Sequence, residues 1–107
     1  MSEDNPAPTL ATVVRCAIAA TCRRYVGRRA EAMALRAQTA KEWRCVVDDC
    51  DRKAPMWSSP TARPTLHATA VAARLMAEDD AETAARELAA VRGQTVEAWR
   101  EEHTRVA

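Results

Sequence analysis

Apolar side chains recur at intervals of three and four residues in four stretches of the chain, which is the spacing of amphipathic helices. The spacing predicts helices over residues 9–25, 28–49, 65–77 and 79–104. The larger apolar side chains of these stretches form the predicted core: Leu10, Val13, Val14, Ile18, Leu35, Trp43, Leu66, Val71, Leu75, Leu88, Val91, Val96 and Trp99. No stretch shows the alternation of a strand, so we expect an all-α fold.

Residues that favour helix ends mark the predicted boundaries. Thr9 and Thr65 are predicted N-caps, and Gly27 is placed as a C-terminal cap. Asp79, with Glu82 three residues later, predicts a capping box for the last helix. Prolines exclude a continuous helix between the second and third stretches, at Pro55, Pro60 and Pro64.

The chain contains an internal repeat. A shift of 56 positions without a gap gives 11 identities across the 37 positions from 8 to 44, which indicates tandem duplication of one supersecondary unit. The best-preserved segment is Arg36, Gln38, Thr39, Trp43 and Arg44 in the first copy and Arg92, Gln94, Thr95, Trp99 and Arg100 in the second.

The repeat predicts two helical hairpins in one domain over residues 9–107, after a disordered tail over 1–8. The hairpins span residues 9–50 (the first copy) and 65–104 (the second copy), and 51–64 link them. Such a pair folds most simply as an antiparallel four-helix bundle, with Trp43 and Trp99 in equivalent layers. Alanine supplies 24 of the residues and buries little apolar area. The core is therefore thin, and we expect a homodimer.

Charge is unevenly divided between the two halves of the chain. Residues 1–56 carry ten Lys/Arg and seven Asp/Glu, whereas 57–107 carry six and eight. No apolar run approaches the ~20 residues that span a bilayer, and no signal-peptide pattern opens the chain, so a cytoplasmic protein without a membrane partner is expected. The high alanine and arginine content suggests a bacterial or phage genome rich in GC.

The cysteines and histidines do not form a recognisable metal or catalytic set. All four cysteines, Cys16, Cys22, Cys45 and Cys50, lie in the first copy, and their spacing is not that of a zinc site. We expect free, mostly buried thiols. His67 and His103 are not near a cysteine in the predicted hairpins. We therefore expect no enzyme activity, no metal and no cofactor.

Four arginines surround a tyrosine at the tip of the first hairpin: Arg23, Arg24, Arg28 and Arg29. They can bind phosphates, because guanidinium groups contact them bidentately. The corresponding turn of the second copy, residues 78–82, is acidic, and an up-down bundle would place both turns at the same end. Pairing of the two turns, within the chain or across a dimer, is the favoured interpretation. Nucleic-acid binding and a solvated face without a partner are the alternatives.

Two further groups are candidate sites. Met56 and Trp57 lie in the linker, where they either cover the end of the bundle or form a protein-contact patch; Trp57 is the first choice for a partner-facing residue. The repeated segment is interpreted as a packing motif whose members are Arg36, Thr39, Trp43, Arg92, Thr95 and Trp99. A ligand pocket shared by the copies is the alternative.

The segment from Glu87 to Arg100 resembles the second half of a helix-turn-helix, in which a glycine turn precedes a recognition helix of the form Thr-Val-x-x-Trp. The resemblance covers about 14 residues per copy and implies nucleic-acid contacts. The candidate nucleic-acid contacts are Gln38 and Gln94 of the resembling segments, together with Arg28 and Arg29 of the arginine tip. The segment departs from the pattern because only Gln94 separates Gly93 from Thr95, and because Ala37 replaces the glycine in the first copy.

These features predict a non-enzymatic regulatory or adaptor module that recognises a partner protein. The predicted partner-binding residues are Met56, Trp57, Arg23, Arg24, Arg28 and Arg29. The alternative is a nucleic-acid-binding transcriptional regulator that uses the arginine tip or the degenerate helix-turn-helix. A third hypothesis is a helical bundle that binds a small molecule between its hairpins.

Overall fold

The protein is described by a computed structural model that covers residues 7–105, so most of the predicted tail over 1–8 lies outside the described residues. The regular secondary structure of residues 7–105 is entirely helical, which confirms the all-α prediction. A short 3-10 helix, Ala54–Met56, follows the third α-helix. The six α-helices of this part of the chain are α1 Leu10–Tyr25, α2 Arg28–Arg36, α3 Ala40–Lys53, α4 Ala62–Ala77, α5 Ala81–Val91 and α6 Val96–Thr104.

The predicted antiparallel four-helix bundle is not confirmed, because the second and fourth predicted helices are each divided. Thr39 starts α3 as an N-cap: its hydroxyl accepts the Glu42 backbone N–H at 3.1 Å, and the Glu42 carboxylate accepts the Thr39 N–H at 3.1 Å. Thr95 starts α6 by accepting the Ala98 N–H at 3.1 Å. Capping oxygens stabilise new helix N-termini and compete with a continuous helix.

The breaks change which side chains share a face. In an unbroken helix, Leu35 and Trp43 would lie two turns apart on one stripe. In the structure Leu35 is 50% exposed whereas Trp43 is buried, and the equivalent Val91 is 38% exposed whereas Trp99 is buried. The prediction that Leu35 and Val91 belong to the core is therefore wrong.

The linker contains more helix than its prolines predict. Helix α3 continues to Lys53, and α4 begins at Ala62. Pro64 fits in the first turn of α4, because a missing N–H needs no helical partner there. Thr65 is consequently inside α4 and is not its N-cap. Asp80, rather than Asp79, caps α5 by accepting the Thr83 N–H at 3.1 Å.

The most extensive helix contacts join α1 to α2, α3 to α4, and α4 to α5. Helix α3 has α4 packed along it and buries Trp43, Val46, Val47 and Cys50. Helix α6 contacts mainly α5 and α1, and Trp99 is its only buried residue. The two copies therefore have similar local structure but different surroundings.

The longest helices among residues 7–105, α1 and α4, have 16 residues each. A bilayer-spanning helix needs about 20 predominantly apolar residues. In the described part of the chain, no helix combines the length and the apolar character that crossing a membrane requires.

Replacing Thr39 with alanine is expected to lower the free energy of unfolding by about 1 kcal/mol, because the first N–H groups of α3 lose their capping oxygen. Urea unfolding monitored by circular dichroism measures the loss. Thr39→Ser keeps the oxygen and is the control, with an expected loss well below that of Thr39→Ala. Equal stability of Thr39→Ala and wild type would show that the cap does not stabilise the helix break.

Candidate functional site

Seven cationic side chains lie exposed at the end of α1, on α2 and in the first turns of α3. We call this set the basic surface: Arg23, Arg24, Arg28, Arg29, Arg36, Lys41 and Arg44. Within residues 7–105, none of the seven has a carboxylate oxygen within 4.0 Å of its charged nitrogens. These seven charges are therefore exposed to solvent and form no ion pair inside this part of the chain. Arg36 lies close enough to Glu42 to contribute, after the backbone hydrogen bonds from Gln38 and Thr39, to the lowered pKa of that carboxyl.

A tight turn and an aromatic contact hold the arginine tip of the basic surface in place. Gly27 has φ +150°, a conformation that favours glycine, and it lets α2 start directly after α1. The Tyr25 ring meets the Trp57 ring edge-on, with centroids 5.3 Å apart. The guanidinium of Arg24 lies over the ring of the same Tyr25, 5.6 Å from the ring centroid.

An open groove of about 480 Å³ separates α2 from α3. Arg29 and Arg36 line it from α2, and Asp49 and Arg52 line it from α3. Asp49 and Arg52 form an ion pair at 2.6 Å, so these two charges compensate each other. The remaining positive charge of the groove comes from Arg29 and Arg36, which extend the basic surface along α2.

The second copy uses the equivalent polar residues differently. Arg92, which corresponds to Arg36, forms an ion pair with Glu102 at 2.9 Å. The Gln94 side-chain amide donates to the other Glu102 oxygen at 3.0 Å, and Arg92 Nε donates to Gln94 Oε1 at 3.0 Å. The Gln94 hydrogen bond and the nearby Arg92 charge lower the pKa of the Glu102 carboxyl. In the described residues, the exposed Gln38 side chain has no such partner.

The acidic turn does not lie beside the arginine tip. Glu82 lines a surface depression together with Leu10, the first residue of α1, whereas Arg28 follows the C-terminal end of α1. The indole N–H of Trp57 donates to the Tyr25 carbonyl at 3.0 Å, which places the segment before α4 at the C-terminal end of α1. Helix α4 then runs antiparallel to α1. The acidic turn that follows α4 therefore lies at the opposite end of α1 from the arginine tip. The prediction that the two turns neutralise each other within one chain is therefore wrong.

The two linker candidates have different environments. Trp57 is half-buried, and both its ring and its indole N–H are used in contacts with Tyr25. Met56 is 72% exposed and projects from the same end of the molecule. Trp57 therefore covers the end of α1, and Met56 is the linker side chain available to a partner.

The members of the repeated segment divide into three roles. Trp43 and Trp99 are buried, Thr39 and Thr95 are N-caps, and the arginines are exposed. The cation that lies over the Trp43 ring is Arg15 of α1, 4.9 Å from the ring centroid, rather than Arg36. Trp99 stacks on His103 with centroids 4.5 Å apart. The threonines thus act on the backbone and do not bond between helices.

The four thiols are free: Cys22 and Cys50 are buried, Cys16 is half-buried, and Cys45 is exposed at the groove. A hydrogen bond with Cys22 and burial both raise the pKa of the Cys50 thiol, so it stays protonated near neutral pH. His67 is exposed on α4. Among residues 7–105, no three His, Cys, Asp or Glu side chains are arranged to hold a metal ion.

Three members of the basic surface, Arg36, Lys41 and Arg44, were not assigned to the arginine tip from the sequence. The signal that could have found them is the charge of residues 15–44, which contain eight Lys/Arg and only two Asp/Glu.

Comparison of the chain with protein-family models, with curated proteins and with solved structures finds no match. The function is therefore inferred from the geometry and charge of this molecule.

Proposed function

We propose that the protein is a non-enzymatic nucleic-acid-binding module, whose basic surface binds the phosphate backbone of duplex DNA. The observation that carries this proposal is the set of seven exposed cationic side chains without a carboxylate partner in the described part of the chain. Arginine binds phosphate bidentately, and unpaired surface cations release counterions from DNA when they bind it.

The local structure of each copy supports a helix-turn-helix mode of binding. Three residues, 37–39, separate α2 from α3, and four residues, 92–95, separate α5 from α6. These are the turn lengths of a helix-turn-helix, in which the start of the second helix faces the bases. In the first copy that start presents the exposed side chains of Gln38, Lys41 and Arg44.

The shared local structure also supports the duplication proposed from the sequence. In each copy a threonine N-cap precedes a buried tryptophan by four residues, as Thr39 precedes Trp43 and Thr95 precedes Trp99. We interpret the ancestral unit as a helix followed by a helix-turn-helix, rather than as a simple hairpin.

Recognition of a partner protein is the second candidate function. It is favoured by Met56, whose side chain is 72% exposed beside the anchored Trp57. Exposed methionines adapt to partner surfaces. A homodimer that joins the basic end of one protomer to the acidic turn of its partner belongs to the same class.

The test is a salt titration of binding to a mixed-sequence DNA duplex. If about four phosphates are contacted, the affinity is expected to fall about a hundredfold between 50 and 200 mM salt. Polyglutamate of similar charge is the control for unspecific attraction to an acidic polymer, and it is expected to bind more weakly than DNA. Absence of DNA binding at the lowest salt would overturn the proposal.

A further inference from the structure

One of the sequence differences between the two copies decides whether the equivalent arginine and glutamine side chains are available to bind a ligand. These are Arg36 and Gln38 in the first copy and Arg92 and Gln94 in the second. Position 102 corresponds to position 46, which is a valine in the first copy. Val46 is fully buried, because α4 packs along α3. Helix α6 has no such neighbour in the described residues, and the Glu102 side chain is 50% exposed.

Glu102 closes a three-membered network on the surface of the second copy. Each of its carboxylate oxygens accepts one hydrogen bond, from Arg92 at 2.9 Å and from Gln94 at 3.0 Å. Arg92 and Gln94 also bond to each other. A single exposed ion pair contributes little, but all three side chains of this network restrict one another, and the carboxylate cancels the charge of Arg92.

We infer that Glu102 confines nucleic-acid binding to the first copy by occupying the arginine and glutamine with which the second copy would contact phosphate. This inference rests on the proposed function. In the first copy, Arg36 and Gln38 are exposed, and in the described residues neither side chain forms an ion pair or a hydrogen bond with a carboxylate. The neighbouring Glu42 carboxylate accepts the Gln38 backbone N–H at 2.9 Å, so it does not occupy the Gln38 amide. The ligand class is the same for both copies, the phosphate backbone of duplex DNA, and the copies differ only in the availability of their side chains.

Glu102→Ala tests the inference, with Glu101→Ala as the matched control. Both positions are exposed on α6 and both substitutions remove one negative charge, but among residues 7–105 the ion-pair partner of Glu101 is Arg105 alone, at 2.7 Å. Glu102→Ala is expected to bind a mixed-sequence duplex about three- to tenfold more tightly than Glu101→Ala at low salt. The slope of log affinity against log salt should steepen by up to about one, the value for one added phosphate contact.

Three additional variants separate the outcomes. Adding Arg92→Ala to Glu102→Ala should return the affinity to that of Glu101→Ala, since the released cation is then absent. Glu102→Ala and Glu101→Ala are also each combined with the change of Arg28 and Arg29 to Glu. In that background Glu102→Ala should restore part of the DNA binding, whereas Glu101→Ala should not.

The results distinguish this inference from the proposed function. Equal affinities of Glu102→Ala and Glu101→Ala, with a wild type that binds DNA, would overturn the role of Glu102 and leave the proposed function intact. Binding by Glu102→Ala but not by wild type would support the role of Glu102 and overturn binding by the first copy. Absence of binding by every variant would overturn both.

Discussion

Replacing Trp99 with alanine is expected to lower the free energy of unfolding by about 3–5 kcal/mol, the usual loss for a buried tryptophan. The Trp99 side chain is 1% exposed, and its surroundings combine residues of four helices. It is also the only buried residue of α6. Because small domains are stabilised by about 5–15 kcal/mol in total, this single change should remove a large share of the stability.

Urea unfolding measures the loss, and hydrogen exchange shows where it acts. Since Trp99 is the only fully buried residue of α6 and Val96 is only partly buried against the core, the amides of residues 96–104 should lose protection before those of α1 and α4. Arg100→Ala, an exposed substitution one residue further along the same helix, is the control and should change stability by about 0.5 kcal/mol or less. A loss below about 1 kcal/mol for Trp99→Ala would show that the indole does not hold α6 on the core.

The apolar periodicity was sufficient to predict an all-helical chain, because residues such as Val13, Val14 and Ile18 recur at helical spacing and are all fully buried. It also identified α1 with the correct N-cap, Thr9. These predictions depend on local physics alone: helix periodicity and the hydrogen-bonding groups of a helix end.

The division of the second and fourth predicted helices was missed because two signals conflict at the same residues. Thr39 continues the apolar stripe toward Trp43, but it also stands three residues before Glu42, which is the capping-box spacing. The apolar stripe favours a continuous helix through Thr39, whereas the capping box starts a new helix there. The break also explains why Leu35 is exposed, since Leu35 and Trp43 share a face only in an unbroken helix.

The candidate site depends on tertiary contacts that sequence periodicity does not contain. Arg28 and Arg29 could be singled out from local charge density, but their distance from the acidic turn depends on the α1–α4 packing. Likewise, the commitment of Gln94 to Glu102 spans eight residues and the break before α6. Helix–helix placement therefore determined which charged residues remain available.

Changing both Arg28 and Arg29 to glutamate is expected to weaken binding to a mixed-sequence duplex about a hundredfold at low salt, because two phosphate contacts are lost and two repulsive charges are added. Both side chains are exposed, so the helix content measured by circular dichroism should stay nearly unchanged. The matched control changes Arg86 and Arg100 to glutamate. These exposed arginines line the depression beside Leu10, at the other end of α1, and the charge change is identical. Equal losses in the two variants would mean that net charge, rather than the basic surface, governs binding, and unfolding of the first variant would assign Arg28 and Arg29 a structural role.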